Sequence, residues 1–412
     1  MRILIDVVLC AGSVIVLVPA VVLLIETLAA LLPAASARQT ASRSPTVAVL
    51  VPAHDEAAQI GETVAALTSQ LPEAGRLLVV ADNCSDDTAA LAARAGASVV
   101  ERRDRERIGK GFAISYGLRH LDPDPPDVVI VVDADCRVSQ GGLAALAATA
   151  VSANRPAQAE YLLAAPADAG PTVVVSALAT LLRNRVRPRG MRRLGLPCHL
   201  TGSGMAFPWR QLRDAPELGA NLVEDLVLGI ELALRGTPAV LCADVRISSE
   251  LPRGATANMG QRRRWEHGQL QTLVAYVPRL LAAGIARRRL ALVGLGLDLA
   301  VPPLALLVML QIGMLAVSGL AGLVGIASPA AFGLAALSVG LVSAAVGAAW
   351  VGFGRPVLPA RQILFVPLYL LWKIPLYLGL ARGRKQAVWE RTARDSPAPA
   401  AGELRPDAPH PP

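Results

Sequence analysis

Several things are scarce in this 412-residue chain, and each scarcity narrows what it can be. Its five cysteines, Cys10, Cys84, Cys136, Cys198 and Cys242, are odd in number and scattered. No C-x-x-C pair occurs and no histidine stands at zinc spacing, although Cys198 and His199 are adjacent. That argues against a disulfide scaffold or a structural zinc site, and for free thiols on a soluble part that faces the cytoplasm. Aromatic residues make up only 4% of the chain. Lysine contributes little to the formal charge of +8, which comes from arginine, with dense runs at Arg183–Arg193 and Arg287–Arg289. Neither run has the aromatic interleaving of a single-strand binder, so a membrane surface is the expected partner and nucleic acid is not. Glycine is missing where a dinucleotide-binding fold needs it. The turn after the first strand reads Pro52-Ala53-His54-Asp55-Glu56, with no glycine before Gly61. A dehydrogenase loses its G-x-G-x-x-G fingerprint there.

Apolar residues, by contrast, are abundant. They form 53% of the chain, and a mean hydropathy of +0.46 is too oily for an ordinary soluble enzyme. Val7 to Leu32 exceeds the ~20 residues that span a bilayer and reads as an uncleaved signal-anchor helix. Ala34 to Pro45 reads as a polar linker. Leu290 to Ile326 and Ala330 to Phe353 are each long enough to cross. Ile363 to Ala381 is interrupted by Pro367, Lys373 and Pro375. If it crossed, the basic tail ARGRKQAVWERTAR would lie outside, against the positive-inside rule, so an interfacial or re-entrant segment is expected. Thr272 to Arg289 alternates apolar residues with arginines and reads as a surface-lying amphipathic helix. The expected organisation is an anchor and linker over 1–45, a cytoplasmic domain over 46–270, an interfacial segment over 271–290, a membrane region over 291–381 and a basic, then disordered, tail over 382–412.

Between the oily ends the period changes. Strand-like runs at Val47–Val51, Leu77–Ala81, Val99–Val100 and Val128–Val132 alternate with helical stretches, the pattern of a parallel, doubly wound α/β sheet. Val128 to Val132 is an unbroken β-branched run that ends in Asp133 and Asp135. Their i, i+2 spacing puts both carboxylates on one side at the carboxyl end of the sheet, where open α/β sheets bind ligands. Paired acids there suit a hard divalent cation shared with phosphates, Mg²⁺ or Mn²⁺, or simply a polar turn that caps the next helix.

Further along, the ordered pieces are PAHDE, DNCSDDT, GKG, DADC, VED and QRRRW. In that order they resemble the membrane-bound family 2 glycosyltransferases, which include the cellulose, chitin and hyaluronan synthases and the ceramide glucosyltransferases. The resemblance covers roughly Val47 to Arg289 and the flanking spans. It implies a GT-A-type nucleotide-sugar domain with flanking transmembrane helices, and a membrane-bound inverting enzyme that moves a sugar from a UDP-sugar to a polysaccharide or lipid acceptor. By the same resemblance Pro52, Ala53, Glu56, Asp82, Lys110 and Asp133 hold the donor nucleotide, and Asp135 holds the metal. Asp225, beside Glu224, is the base. Gly202, Ser203, Gly204, Gln261, Arg264 and Trp265 serve the acceptor and the diphosphate.

Plainer roles compete at several of these positions. Asp82 or Asp86 suits a helix cap, Lys110 a solvated helix start, and Glu224 with Asp225 an acidic first turn. Trp265 also suits a membrane interface, and the arginines from Arg183 to Arg193 suit a lipid phosphate or, as the favoured reading, anionic headgroups. One carboxylate, Asp82, follows the second strand where relatives often carry two. A non-processive glycolipid synthase and an inactive binding protein on the same fold are the alternatives.

Overall fold

The computed structural model describes residues 2–33, 45–215, 219, 223–251 and 255–382. The expected linker, all but its last residue, and the chain beyond Arg382 lie outside these.

Helix α1, Arg2–Ala30, comes first. The α/β region follows as β1 Val47–Ala53, α2 Ile60–Thr68, β2 Arg76–Asp82, α3 Thr88–Arg94, β3 Ser98–Arg102, α4 Lys110–Leu121, β4 Val128–Val131, β5 Arg137–Val138 and α5 Gly142–Ala153. Next are β6 Ala157–Ala164, α6 Pro171–Leu181, a π-helical turn Leu182–Val186 and α7 Arg187–Arg193. Then come β7 Met205–Pro208, α8 Trp209–Arg213, α9 Glu224–Leu234, β8 Val240–Glu250 and α10 Ala255–Ala286. The chain ends in α11 Leu290–Leu299, α12 Leu304–Leu323, α13 Pro329–Ala349 and α14 Val366–Ala381.

Eight strands form one sheet in the order β3-β2-β1-β4-β7-β6-β8-β5. Strand β1 shows why it is wound on both faces. Val47, Val49 and Val51 enter a core with Ile60 of α2 and Leu146 of α5, while Ala48 and Leu50 enter another with Ile114 of α4 and Leu228 of α9. Alternation along a strand sends neighbours to opposite faces, so a run apolar at every position needs cover on both.

The all-parallel expectation holds for β3, β2, β1 and β4, and again for the neighbours β6 and β8. Elsewhere β7 runs antiparallel to both β4 and β6, and β5 runs antiparallel to β8. The sequence Thr201-Gly202-Ser203-Gly204 turns the chain into β7, with both glycines at positive φ. β8 also runs far past the expected Ala239–Leu241, to Glu250.

Among the described residues, four helices are long and apolar enough to cross a membrane: Arg2–Ala30, Leu304–Leu323, Pro329–Gly354 and Ala360–Gly379. The expected single span from Leu290 to Ile326 is two helices. The chain breaks at Val301-Pro302-Pro303, because proline cannot continue a helix, and Asp298 is drawn to Arg187, 2.6 Å away. In α14 the three interruptions are absorbed. Pro367 sits in the first turn, Pro375 lies within the helix, and Lys373 is fully buried on Glu266 of α10 at 2.5 Å. The 272–289 segment continues α10 and docks Leu280 against Ile230 of α9 and Leu295 of α11, leaving Val274 and Ile285 exposed.

Three arginines of the run from Arg183 to Arg193 are drawn inward to carboxylates. Arg185 and Arg189 both pair with the buried Glu160, and Arg187 pairs with Glu26 of α1 at 2.9 Å as well as with Asp298. Gly190 lies so close to α1 that a Cβ there would stand 2.0 Å from the Glu26 carbonyl oxygen.

Candidate active site

The loops at the carboxyl ends of β1, β2 and β4 meet at one edge of the sheet. Those after β1 and β2 are stitched together. The Asp82 carbonyl accepts from His54 Nδ1 at 2.6 Å, Asp55 Oδ1 accepts from the Ser85 amide at 2.6 Å, and Thr88 Oγ1 accepts from the Glu56 amide at 2.7 Å. Asp55 and Asn83 take positive φ, a conformation that Asp and Asn tolerate better than most residues. Of the two acids suited to capping, Asp86 takes that part, accepting from the Thr88 amide at 3.0 Å where α3 begins. Asp82 is buried and paired with Arg102 at 2.6 Å. Burial raises its pKa, and Arg102 opposes the rise.

These loops wall a cleft of about 680 Å³, within the range of small-molecule sites. Of the fifteen residues expected at the site, thirteen line it. Pro52, Ala53, Glu56 and Asp82 come from β1 and β2, Lys110 from α4, and Asp133 and Asp135 from the end of β4. Gly202, Glu224 and Asp225 form the facing wall, and α10 brings Gln261, Arg264 and Trp265. Ser203 and Gly204 do not reach the cleft. Ser203 is fully buried, its hydroxyl accepting from the Asp133 amide at 3.1 Å. A Cβ on Gly204 would stand 2.3 Å from the Ile247 side chain, so this glycine serves close packing. Gly202 is the one that opens on the cleft. Its φ is +94°, and a Cβ would stand 3.3 Å from Asp225 Oδ2 and 3.7 Å from Lys110 Nζ.

Lys110 is not a solvated lysine. Its ammonium pairs with Asp133 and donates to the Gly202 carbonyl at 2.7 Å. Burial works against its charge, but Asp133, Glu224 and Asp225 outweigh it and raise the pKa. Asp133 is itself raised by burial, with Lys110 opposing and Asp135 adding to the rise. Glu224 is pushed up to about 7, first by burial and then by Asp225 alongside. At Arg264 burial weakens the hold on the proton, while Glu224, Asp133 and Asp225 strengthen it. The carboxylates and cations at this edge thus form one coupled set.

Asp133, Asp135 and Cys136 bring potential ligand atoms within 4.8 Å of one another. Cys136 is buried, and burial, then Asp135 and Asp133, push its thiol well up; its soft sulfur also suits a hard divalent ion less than the carboxylate oxygens do. The two carboxylates open on the cleft, an oxygen set that fits a hard divalent ion such as Mg²⁺ or Mn²⁺. Ser249 of β8 donates to Asp135 at 2.9 Å and orients it.

Gln261, Arg264 and Trp265 stand at i, i+3 and i+4 on α10, one face of the helix. The Oε1 of Gln261 is buried with no hydrogen-bond partner among the described residues. The sequence did not single out Ser249 and Glu250 of β8, Tyr161 of β6, or Thr180, Arg183 and Asn184 around the end of α6 as site residues, yet all line the cleft. Arg183 stood in a conspicuous basic run; the others carried no local signal.

The family described as "Glycosyltransferase like family 2" matches residues 45–268, more than half of the chain. Uncharacterized glycosyltransferases of Mycobacterium tuberculosis and Mycobacterium bovis are each 40% identical over 87 residues, 21% of this chain and 37% of theirs. The chain thus matches little more than a third of the length of these relatives. Among solved structures, the mannosyltransferase PcManGT from Pyrobaculum calidifontis, in complex with GDP-Man and Mn²⁺, has a TM-score of 0.54 at 16% identity. The match covers 93% of this chain and 100% of that one, a likeness of fold. The chain therefore belongs to the family described as glycosyltransferase like family 2, and its fold is GT-A-like.

Proposed function

We propose that this glycosyltransferase is membrane-bound and inverting, with its catalytic domain in the cytoplasm, and that it moves a sugar from a UDP-sugar to an acceptor presented at the membrane. One observation carries the reading: Asp225 and the Lys110–Asp133 pair converge at Gly202 in the cleft that Trp265 also lines. Base, cation and metal carboxylates therefore share one chamber.

In this reading Asp133 and Asp135 hold one divalent cation, which supplies Lewis-acid neutralisation of the leaving diphosphate when bound. Lys110 and Arg264 carry fixed positive charge to the same developing charge. Asp225 takes the proton of the acceptor hydroxyl as its oxygen forms the new bond to C1. The old bond from C1 to the diphosphate breaks, and its electron pair leaves with the nucleoside diphosphate. Attack opposite the leaving group inverts C1. Trp265 offers a flat face for an acceptor sugar, and Gln261, with an unpaired Oε1, a hydrogen-bond acceptor. The membrane placement draws support from the four apolar helices and from the exposed Val274 and Ile285, eleven positions apart on one face of α10. The pair of Lys373 with Glu266 in the Gln261–Trp265 helix favours an interfacial α14.

A polysaccharide acceptor follows from the Gln261-x-x-Arg264-Trp265 resemblance. A glycolipid acceptor has an observation in its favour, a second cavity behind Trp265. Membranes carrying the full chain test the donor reading with radiolabelled UDP- and GDP-sugars, with Mn²⁺ or Mg²⁺ and with EDTA. Metal-dependent transfer from a UDP-sugar is expected. Transfer that survives EDTA sinks the metal role, and turnover of GDP-sugars alone sinks the uridine assignment.

A further inference from the structure

Behind Trp265 a smaller cavity of about 60 Å³ lies between the catalytic region and the apolar helices. Thr180, Arg183 and Trp265 line both this cavity and the main cleft, so the two share a wall. Two guanidiniums at the cavity are short of partners. Arg262 is 5% exposed; one of its nitrogens donates to the Ser176 carbonyl at 3.2 Å, and its Nε has no hydrogen-bond partner among the described residues. Arg183 makes no hydrogen bond or ion pair with any described residue. Burial weighs against its charge; Asp225 and Glu266 support that charge, while Arg187 and Arg262 repel it. Glu266 is already engaged by Lys373 and by Tyr377 at 2.6 Å, and Arg187 by Glu26 and Asp298. Arginines with unused donors, Arg262 buried and Arg183 half-buried, fit a small tetrahedral oxyanion, which guanidinium binds through paired hydrogen bonds. The volume gives room for one phosphate.

The outer wall of the niche is apolar and belongs to the candidate membrane helices. Leu23 comes from α1, Tyr369 from α14, and Pro303 and Leu304 from the break before α12, where both are only partly buried. A free phosphate needs no such wall, whereas a phosphate esterified to a hydrocarbon chain does.

Building on the transferase reading above, we infer that Arg183 and Arg262 hold the phosphate of a lipid-borne acceptor, whose tail leaves past Leu304 and Pro303 and whose acceptor hydroxyl enters the cleft beside Trp265 and Asp225. The hydroxyl oxygen forms the bond to C1, its proton passes to Asp225, and the diphosphate leaves with the electron pair. The phosphate of the acceptor stays in the niche unchanged.

Full-length protein in phosphatidylcholine nanodiscs provides the test, with farnesyl phosphate, farnesol and inorganic phosphate as probes and a nucleoside diphosphate with Mn²⁺ as a separate donor probe. Farnesyl phosphate is expected to bind at least tenfold more tightly than farnesol or inorganic phosphate. Arg183→Gln and Arg262→Gln should each weaken it tenfold or more, with Arg183→Lys intermediate. Farnesol binding as tightly as its phosphate overturns the inference, because the tail alone would then suffice. Inorganic phosphate binding equally well overturns the lipid part and leaves a plain phosphate site. Undiminished farnesyl phosphate binding in both glutamine variants overturns the residue assignment. The contrast among the three probes on the parent chain decides the question even where a variant fails to fold. A parent chain that binds nucleoside diphosphate and Mn²⁺ but no farnesyl phosphate overturns this inference alone; one that binds neither overturns the donor reading as well.

Discussion

Around the ends of β1 and β4 the chain leaves its charges facing a cleft, whereas from Leu182 to Arg193 it buries arginines against carboxylates brought from far along the sequence. Asp133, Asp135, Glu224 and Asp225 crowd together with Lys110 and Arg264 as their nearby cations. Arg185, Arg187 and Arg189 are matched by Glu160, Glu26 and Asp298. Unbalanced charge raises pKa values and stores affinity for a ligand; balanced charge sets the position of helices. Arginine density therefore says little about where an anion binds. The sorting criterion is whether each guanidinium already has a partner, and Arg183 stands apart from Arg185, Arg187 and Arg189 on that ground.

Three substitutions sharpen or break this contrast. Asp225→Asn should lower the transfer rate by about 10²–10⁴-fold, the range of a lost general base, while nucleoside diphosphate and Mn²⁺ binding persists. Initial rates and equilibrium binding on the same preparation check this, and a variant as active as the parent removes Asp225 from its role. Arg187→Met should do the reverse, lowering stability by about 3–5 kcal/mol because Glu26 and Asp298 lose their shared cation in a buried site. Thermal or denaturant unfolding reads it, and an unchanged transition would mean that the network balances no real charge.

The smallest effect concerns Glu224. Its folded pKa is about 7 against an ordinary 4.5, so between those values the folded chain keeps a proton that the unfolded chain has released. The folded state binds more protons, and stability falls as pH rises through that window, then levels off. Glu224→Gln removes the slope. It should gain on the order of 1 kcal/mol over the parent at pH 8 and nothing at pH 4. Equal shifts in melting temperature at both pH values would show that the side chain acts through packing instead.

Much of the cleft wall at the ends of β1, β2 and β4 is legible in the sequence because its signals are local. The β-branched run at Val128–Val132 specifies a strand buried on both faces, and polar loops at strand ends announce themselves against apolar neighbours. Lys110 was placed at a helix start, and α4 begins on it. Its ion pair with Asp133 was not readable, being set by the way β4 and α4 pack. The antiparallel β7 hid in a glycine-rich stretch whose alternation is too short to count. Ser203 and Gly204 look like cleft residues by type, but their turn aims one inward and presses the other on Ile247. The arginine run misled for a related reason, since its partners lie up to 161 positions away. The proline pair at 302–303 was in plain sight, and reading it as a break would have divided the span correctly.

Gly190 bears on whether the first helix can be parted from the rest of the chain. With α7 pressed against the Glu26 backbone, and Arg193 donating to the Leu32 carbonyl at 3.2 Å, the first helix is a working wall of the catalytic body rather than a leash. A cut between residues 33 and 45 would not by itself release α1. The severed helix would remain seated as a second polypeptide, and shedding it would bare the flank that holds the arginine network in place.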